Sequence, residues 1–237
     1  MKVILDRYTI QARLLPVLLV FLPIGATIFG LFPVDKAEWA LMSGLLTSFG
    51  FTALLSQLGR DQGKKKEPLL YQIWGGTPTT VTFRYSGSKF NQLTLERYHK
   101  KLSQLLNITM PSPDLEKNDP AQADIIYQSF VDFLRERTRD KKLFPLVFAE
   151  NVNYGFRRNL WGLKTVGLLI ILLSFVVIAP FACYRIISFK SISVNSIFAL
   201  LVNFFLLIVW ILCIKPEWVR VAADAYAQRL IASCENL

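Results

Sequence analysis

The residues best suited to hold a ligand lie in the polar middle of the chain. The run Trp74-Gly75-Gly76-Thr77 offers an aromatic ring, two glycine amides and a hydroxyl, and it follows the triplet Lys64-Lys65-Lys66. Backbone amides and ammonium groups hold phosphate in many proteins. The run could therefore cradle a phosphate or a nucleobase. Its structural alternative is a helix stop followed by a rigid turn.

The glycines and lysines of residues 59–68 do not form a nucleotide-binding P-loop. That motif needs four residues between its glycines and a Ser or Thr after its Lys. Here three residues separate Gly59 from Gly63, and Lys65 follows Lys64. We predict a polar, flexible loop, after which Pro68 opens a short helix.

Groups for acid–base or metal chemistry are few. Asp61, Glu67 and Glu150 are the carboxylates that a membrane-surface enzyme could use as a base. The chain has one histidine, His99, and three cysteines without a Cys-x-x-Cys pair. No zinc site of usual composition can be written from them, so we predict no metal and no cofactor. His99 lies among charged residues, where we expect it to be solvated.

Four apolar blocks surround these residues. The blocks 14–32, 39–58, 165–184 and 191–214 contain no charged residue. At about 1.5 Å per residue, each is long enough to cross a hydrocarbon core of roughly 30 Å as a helix. We predict an all-α membrane protein with four transmembrane helices in two hairpins. The predicted parts are 1–58 with the first two spans, a mainly helical cytoplasmic domain at 59–164, the last two spans at 165–214, and a tail helix at 215–237.

Basic residues near the span ends predict the orientation. The central segment 59–164 carries 18 basic and 11 acidic residues, a net charge of +7. Loops rich in Lys and Arg stay in the cytoplasm. We therefore predict that both termini and the central segment are cytoplasmic and that they face anionic lipid headgroups, which attract each basic residue by about 1 kcal/mol. We do not expect nucleic acid as a partner.

Local patterns predict the elements of the central domain. Residues 79–85 alternate, with Val81 and Phe83 on one face and Arg84 on the other, which is typical of a strand. We expect this strand to pair with a neighbouring protomer or to lie on helices. Helices are predicted at about 93–106, from an Asp119 N-cap to about 138, and from Pro145 to 160, with a loop at 107–117.

Polar residues also mark the last part of the chain. Glu150 lies two helical turns before Arg157 and one turn before Tyr154, so we predict a partly buried, paired carboxylate. Asn195 and Asn203 are the polar residues of the fourth span. Asn203 should bond to another helix, either within one protomer or around an oligomer axis. A tail helix after Pro216 should pack on the cytoplasmic domain or lie in the interface. Small-residue faces and the lone strand predict a homo-oligomer.

Several runs together carry a resemblance. These are residues 74–80, 144–147, 150–151, 154–160 and 222–227. They resemble uncharacterised bacterial multi-pass inner-membrane proteins with a Trp-Gly-Gly-x-Pro-Thr-Thr run. The resemblance implies a bacterial inner membrane and a defence-associated setting, and it assigns no functional residue.

We predict a non-enzymatic inner-membrane sensor, effector or anchor. Its cytoplasmic domain would bind a protein partner or a ligand such as a nucleotide, and its spans would alter permeability or tether a complex. The lack of a recognisable nucleophile–base pair favours this function. The alternatives are a membrane-surface enzyme acting on a phosphate-containing substrate and a passive channel or transporter subunit. The candidate binding residues are Arg60, Lys64, Lys65, Lys66, Trp74, Gly75, Gly76, Thr77, Arg84, Glu150, Arg157 and Arg158.

Overall fold

The structure, a computed structural model, describes residues 6–32 and 49–237. Within these ranges the chain is helical and contains no strand. It divides into two compact units. Unit 1 comprises Met1–Lys66 and Gly155–Trp218, and unit 2 comprises Glu67–Tyr154 and Val219–Leu237.

From Phe49 onward the helices follow one another with short connections. A π-helical turn, Thr9–Leu14, leads into the first α-helix, and a 3₁₀ turn, Ser233–Asn236, follows the last. The described α-helices are α1 Leu15–Leu31, α2 Phe49–Trp74, α3 Pro78–Phe83, α4 Gln92–Leu106, α5 Pro113–Asn118, α6 Pro120–Arg137, α7 Pro145–Gly162, α8 Lys164–Ile187, α9 Val194–Leu212 and α10 Pro216–Ala232.

Among the residues that the structure describes, three helices are long and apolar enough to cross a membrane. They are Thr9–Leu31, Lys164–Ile187 and Val194–Leu212. They agree with the first, third and fourth predicted spans. Most of the predicted span 39–58 lies outside the described residues, so four spans in two hairpins stay a prediction.

The outer faces of α8 and α9 are apolar. Leu173 and Val176 of α8 and Phe205 of α9 are each more than 60% exposed. Soluble proteins seldom expose so large a continuous apolar surface, whereas a lipid-facing helix does so throughout its length. The opposite faces pack with α1 in a core that includes Val17, Ile171 and Trp210.

Polar groups inside this bundle bond to one another. The Asn203 amide donates to the Thr27 hydroxyl at 3.1 Å and to the Ala199 carbonyl at 3.0 Å, and Asn203 is fully buried. The Ser196 hydroxyl donates to the Gly30 carbonyl at 2.6 Å. The structure thus has the Asn203 bond within one chain rather than around an oligomer axis. Asn195 is exposed.

The predicted loop at 59–68 is wrong, because α2 continues through it and through Pro68. The glycines mark a close helix contact instead. A Cβ placed on Gly63 would meet the Asn159 side chain, and one placed on Gly162 would lie 2.7 Å from the Gly63 backbone. Glycine at such a contact lets two helix backbones approach, and spacing alone could not separate this role from a flexible loop.

The predicted strand at 79–85 is also wrong. Residues Pro78–Phe83 form α3, with Pro78 in its first turn. The Thr77 hydroxyl caps α3 by accepting from the Thr80 amide at 3.3 Å, and the Thr82 hydroxyl donates to the Pro78 carbonyl at 2.7 Å. Threonine has a high strand propensity, but here the threonine hydroxyls form hydrogen bonds with backbone groups of the helix.

The other helices of unit 2 follow their sequence signals. Asp119 caps α6 by accepting from the Gln122 amide at 3.0 Å, as predicted. Asn91 caps α4 in the same way. The predicted loop at 107–117 contains the short helix α5, which Ser112 caps. The core of unit 2 joins α3, α4, α6 and α10 around Phe83, Tyr127, Phe130 and Leu230.

Candidate functional site

An open cavity of about 660 Å³ lies in unit 2. Helix α10 forms one side, α4 and the loop before it form another, and Glu150 of α7 completes the lining. Its volume lies within the range of about 300–1,000 Å³ that is typical of small-molecule sites. The lining residues are Lys89, Phe90, Tyr98, Glu150, Val221, Asp224, Ala225, Gln228, Arg229 and Ala232.

One acidic group of the cavity is already paired. The Asp224 carboxylate lies 3.8 Å from the Lys89 ammonium and 3.7 Å from the Arg220 guanidinium. Arg220 is one turn before Asp224 on α10, whereas Lys89 comes from the loop before α4. The ion pair Lys89–Asp224 therefore connects the loop to α10, and its charges are balanced within the protein.

Two further charged groups of the cavity are not paired. Glu150 and Arg229 have no hydrogen-bond or ion-pair partner in the part of the chain that the structure describes. The predicted pairing of Glu150 is thus absent among these residues, because the Tyr154 hydroxyl donates instead to Glu67, at 2.6 Å. The cavity offers a carboxylate acceptor and a guanidinium donor to a ligand.

Aromatic rings form the apolar wall of the cavity. Phe90 and Tyr98 meet edge to face, with ring centroids 5.1 Å apart. Burial, together with the charge of Glu235, raises the pKa of Tyr98, so its hydroxyl stays protonated at neutral pH. The wall thus presents an apolar surface next to the charged groups.

A buried polar network holds the chain segment that precedes Lys89 and Phe90. The Glu116 carboxylate accepts from the Tyr85 and Ser86 amides, from the Ser86 hydroxyl at 2.7 Å and from the Tyr127 hydroxyl at 2.9 Å. Burial by itself raises the pKa of Glu116, but these hydrogen bonds outweigh it, and the pKa lies below its ordinary value. Glu116 is therefore an ionised structural anchor with its acceptors occupied.

His99 belongs to the same buried region. It is 4% exposed, and its Nε2 lies 2.9 Å from the Phe83 carbonyl. Its ring stacks on Phe83 and meets Tyr85 edge to face. The prediction of a solvated histidine is wrong, because the face of α4 that carries His99 also carries Leu95 and Leu102 and turns to the core.

The Trp74–Thr77 run forms a structural corner. Trp74 is buried at the end of α2, and the Gly76 amide donates to the Tyr71 carbonyl at 2.9 Å. Gly75 and Gly76 have φ values of +77° and +142°, which glycine adopts without strain. Thr77 then caps α3. Arg84 makes a bidentate pair with Asp124 and donates to the Gly75 carbonyl at 2.9 Å.

The remaining predicted residues belong to unit 1. Arg60, Lys64, Lys65 and Lys66 lie on α2, and Lys64 and Lys65 are exposed. Arg157 lies over the Trp218 ring and donates to its carbonyl at 2.9 Å. Arg158 is buried against Asn159. Unit 2 holds the other candidate residues, namely Trp74, Gly75, Gly76, Thr77, Arg84 and Glu150.

Sequence reasoning did not find Lys89, Asp224, Gln228 or Arg229. Lys89 lies more than 130 residues before the other three in the chain, and they meet because α10 packs against α4 in unit 2. The signal that could have found them is the polar face of the tail helix, where Asp224 and Gln228 are one turn apart. The tail helix was predicted, but not the surface that this face would meet.

No family model, no curated protein and no solved structure matches this chain. Among the described residues, no group of three or more His, Cys, Asp or Glu side chains could hold a metal ion. The arrangement can bind a molecule that carries both a negative and a positive charge.

Proposed function

We propose that this chain is a non-enzymatic membrane sensor or anchor of the bacterial inner membrane, whose helical unit 2 binds a zwitterionic ligand. The observation that carries the proposal is the pair of unpartnered groups, Glu150 and Arg229, in one open cavity with an aromatic wall. Free amino acids and short peptides have this chemistry.

Each group has a defined role in binding. The guanidinium of Arg229 matches a carboxylate, which it can hold through two parallel hydrogen bonds. The Glu150 carboxylate accepts from an ammonium group. Phe90 and Tyr98 cover the apolar part of the ligand, and Gln228 offers an amide to a peptide bond. A singly charged ligand would leave one of the two groups unpaired, which weakens its binding.

The surrounding residues support binding rather than catalysis. His99 is buried against aromatic rings, and the Glu116 carboxylate is occupied by four donors. Neither is placed in the cavity lining. A general acid or base must reach the proton that it transfers, so these groups favour a structural role.

The spans favour an anchor over a conduction path. Asn203, Thr27 and Ser196 are buried and bonded within the bundle of α1, α8 and α9. A polar path would need such groups to face water. The positive charge of residues 59–164 supports a cytoplasmic location for unit 2. A reporter that is active only in the cytoplasm should be active when fused after Lys142. Activity of a periplasmic reporter at the same position would contradict the orientation.

The binding proposal is tested by calorimetry on the full chain in detergent, with a panel of amino acids and dipeptides. We expect at least one member to bind. Glu150→Gln and Arg229→Gln should each weaken it about tenfold to a hundredfold, since a hydrogen bond to a charged group contributes about 1.5–3 kcal/mol. Glu136→Gln is the matched control, because Glu136 pairs with Arg139 on the exposed surface.

Two results would contradict the proposal. One is the absence of binding by every zwitterion in the panel. The other is equal affinity of the Glu150→Gln and Glu136→Gln variants. Reconstituted vesicles with an enclosed dye test the anchor role: dye release above that of protein-free vesicles, with or without the ligand, would favour the permeability function instead.

A further inference from the structure

A second cavity lies entirely within unit 1, where α7 ends and α8 begins. It has a volume of about 320 Å³. Its polar end is formed by Lys66, Trp161, Lys164 and Thr165, and its apolar end by Leu168, Leu169 and Leu172. It shares no residue with the cavity of unit 2, so the two cavities can bind different molecules.

The polar end has positive charge and spare donors. The Lys66 ammonium donates to the Thr165 hydroxyl at 3.3 Å, and the Lys164 ammonium donates to the Ile214 carbonyl at 2.7 Å. An ammonium group has three donors, so each lysine keeps donors for a ligand. Within the described residues, no carboxylate lines this cavity or pairs with either lysine.

The apolar end continues along the membrane-facing side of α8. Leu169 and Leu172 follow Thr165 by four and seven residues, so the three side chains lie on one face of the helix. Leu169 and Leu172 are 56% and 52% exposed. This stripe is continuous with the exposed apolar surface of α8, and an extended acyl chain fits along it.

The depth of the cavity fits the headgroup region. Lys164 is the first residue of the 24-residue helix α8. A helix of that length spans about 36 Å, so its ends reach past a hydrocarbon core of roughly 30 Å into the headgroups. Trp161, one turn earlier, is of the type enriched at this interface.

We propose that this cavity binds one anionic phospholipid of the surrounding bilayer. The headgroup phosphate would lie between the ammonium groups of Lys66 and Lys164, and one acyl chain would follow Leu169 and Leu172. Charge complementarity selects an anionic lipid, and the apolar stripe distinguishes a lipid from a soluble phosphate. The inference does not depend on the proposed function of unit 2.

Native mass spectrometry of the delipidated full chain tests the proposal, with titration of phosphatidylglycerol or phosphatidylcholine. We expect one tightly retained phosphatidylglycerol. Lys66→Gln and Lys164→Gln should each weaken its binding about fivefold, and the double variant roughly 25-fold, since each basic residue near anionic lipid contributes about 1 kcal/mol. Lys65→Gln is the control, because Lys65 is exposed on the same helix outside the cavity.

The acyl chain is tested on α8. Leu172→Trp should fill the stripe and weaken lipid binding, whereas Leu173→Trp, on the next position and outside the cavity, should not. Inorganic phosphate should fail to displace the lipid.

Folding of the lysine variants is checked by a thermal melt. In Lys164→Gln the glutamine amide still offers a donor to the Ile214 carbonyl. If Lys164→Gln unfolds, the test uses Lys66→Gln alone. That variant should still fold, because the hydrogen bond from Lys66 to Thr165 lies on the exposed surface.

Three results would overturn the proposal. Equal loss in Lys65→Gln and Lys66→Gln would indicate diffuse attraction to the bilayer. Displacement by inorganic phosphate would indicate a free-anion site. Equal retention of both lipids, unchanged by Leu172→Trp, would show that the cavity holds no specific lipid.

Discussion

The Tyr127 hydroxyl donates a 2.9 Å hydrogen bond to the Glu116 carboxylate inside unit 2. The same carboxylate accepts from the amides of Tyr85 and Ser86. One buried acid thus connects α5 and α6 to the segment that leaves α3. Lys89 and Phe90 of the ligand cavity follow four and five residues after Tyr85, so this anchor helps to position one wall of the cavity.

Removing the charge of Glu116 should destabilise unit 2. Glu116→Gln keeps the size of the side chain but weakens four charge-assisted hydrogen bonds and introduces amide hydrogens that face donors. We expect a loss of about 2–4 kcal/mol in the free energy of unfolding, because buried donors are left without good acceptors. Chemical denaturation in detergent measures it. Tyr127→Phe, which removes one donor, should cost only about 1 kcal/mol, and an equal cost for both variants would contradict the anchor role.

The same anchor predicts an acid dependence of stability. The pKa of Glu116 is lowered in the folded state, so the carboxylate stabilises the fold fully above its unfolded pKa of about 4.3. This contribution is lost as the pH falls from there through the folded pKa. Denaturation midpoints between pH 6 and pH 3 should therefore fall less steeply in Glu116→Gln than in the parent chain. Parallel curves would exclude the effect.

His99 should titrate below the ordinary histidine range. Burial lowers its pKa, although the Phe83 carbonyl and the charges of Glu116 and Glu96 act in the opposite direction. Because the folded pKa lies below the unfolded value of about 6.5, stability falls as the pH drops below 6.5 towards the folded pKa. The chain has a single histidine, so one imidazole NMR signal reports it. A midpoint at or above 6.5 would contradict the burial.

Enlarging Gly167 should loosen the membrane bundle. A Cβ at this position would lie 2.5 Å from the Trp210 ring, which is almost fully buried. We expect Gly167→Ala to lower the stability of the detergent-solubilised chain by about 1–3 kcal/mol, because a packed ring cannot move aside freely. Gly25→Ala is the matched control, since a Cβ on Gly25 meets nothing within 4 Å. A thermal melt that shows the same shift for both variants would contradict the close contact.

Cys234 should be chemically inert in the folded chain. Its thiol is fully buried, and burial, with the charge of Glu235, raises its pKa to about 12. The thiolate is the reactive form, so maleimide labelling at neutral pH should be about a thousandfold slower than in denaturant. The measurement uses a Cys183→Ser, Cys213→Ser variant, because both of those thiols are exposed. Rapid labelling without denaturant would contradict the packing of the 3₁₀ turn.

Local signals were sufficient for much of the fold. The apolar blocks predicted the three described membrane-length helices, since length and absence of charge are what lipid requires. Asp119 with Pro120 predicted the start of α6, because a cap and a proline act within one turn. These features depend on neighbours in the chain.

Other features were decided by distant contacts. Gly59 and Gly63 have the composition of a loop, but Val17 and Asn159 pack against them, and α2 continues. Residues 79–85 alternate like a strand, yet their hydroxyls find helical partners, and Phe83 enters a core with Tyr127. His99 is buried because its face of α4 packs against α3 and α6, and the charged residues around it in the sequence did not predict that contact.

By itself, then, the sequence determined a helical chain with membrane-length apolar segments and a basic polar region between them. Only the tertiary structure decided the candidate sites, because it alone sets which side chains remain unpaired. Arg84, Arg157 and Arg158 looked available in sequence and have partners in the fold. Glu150 was expected to have a partner, and it lines an open cavity with Arg229, whose helix returns from the end of the chain to meet it.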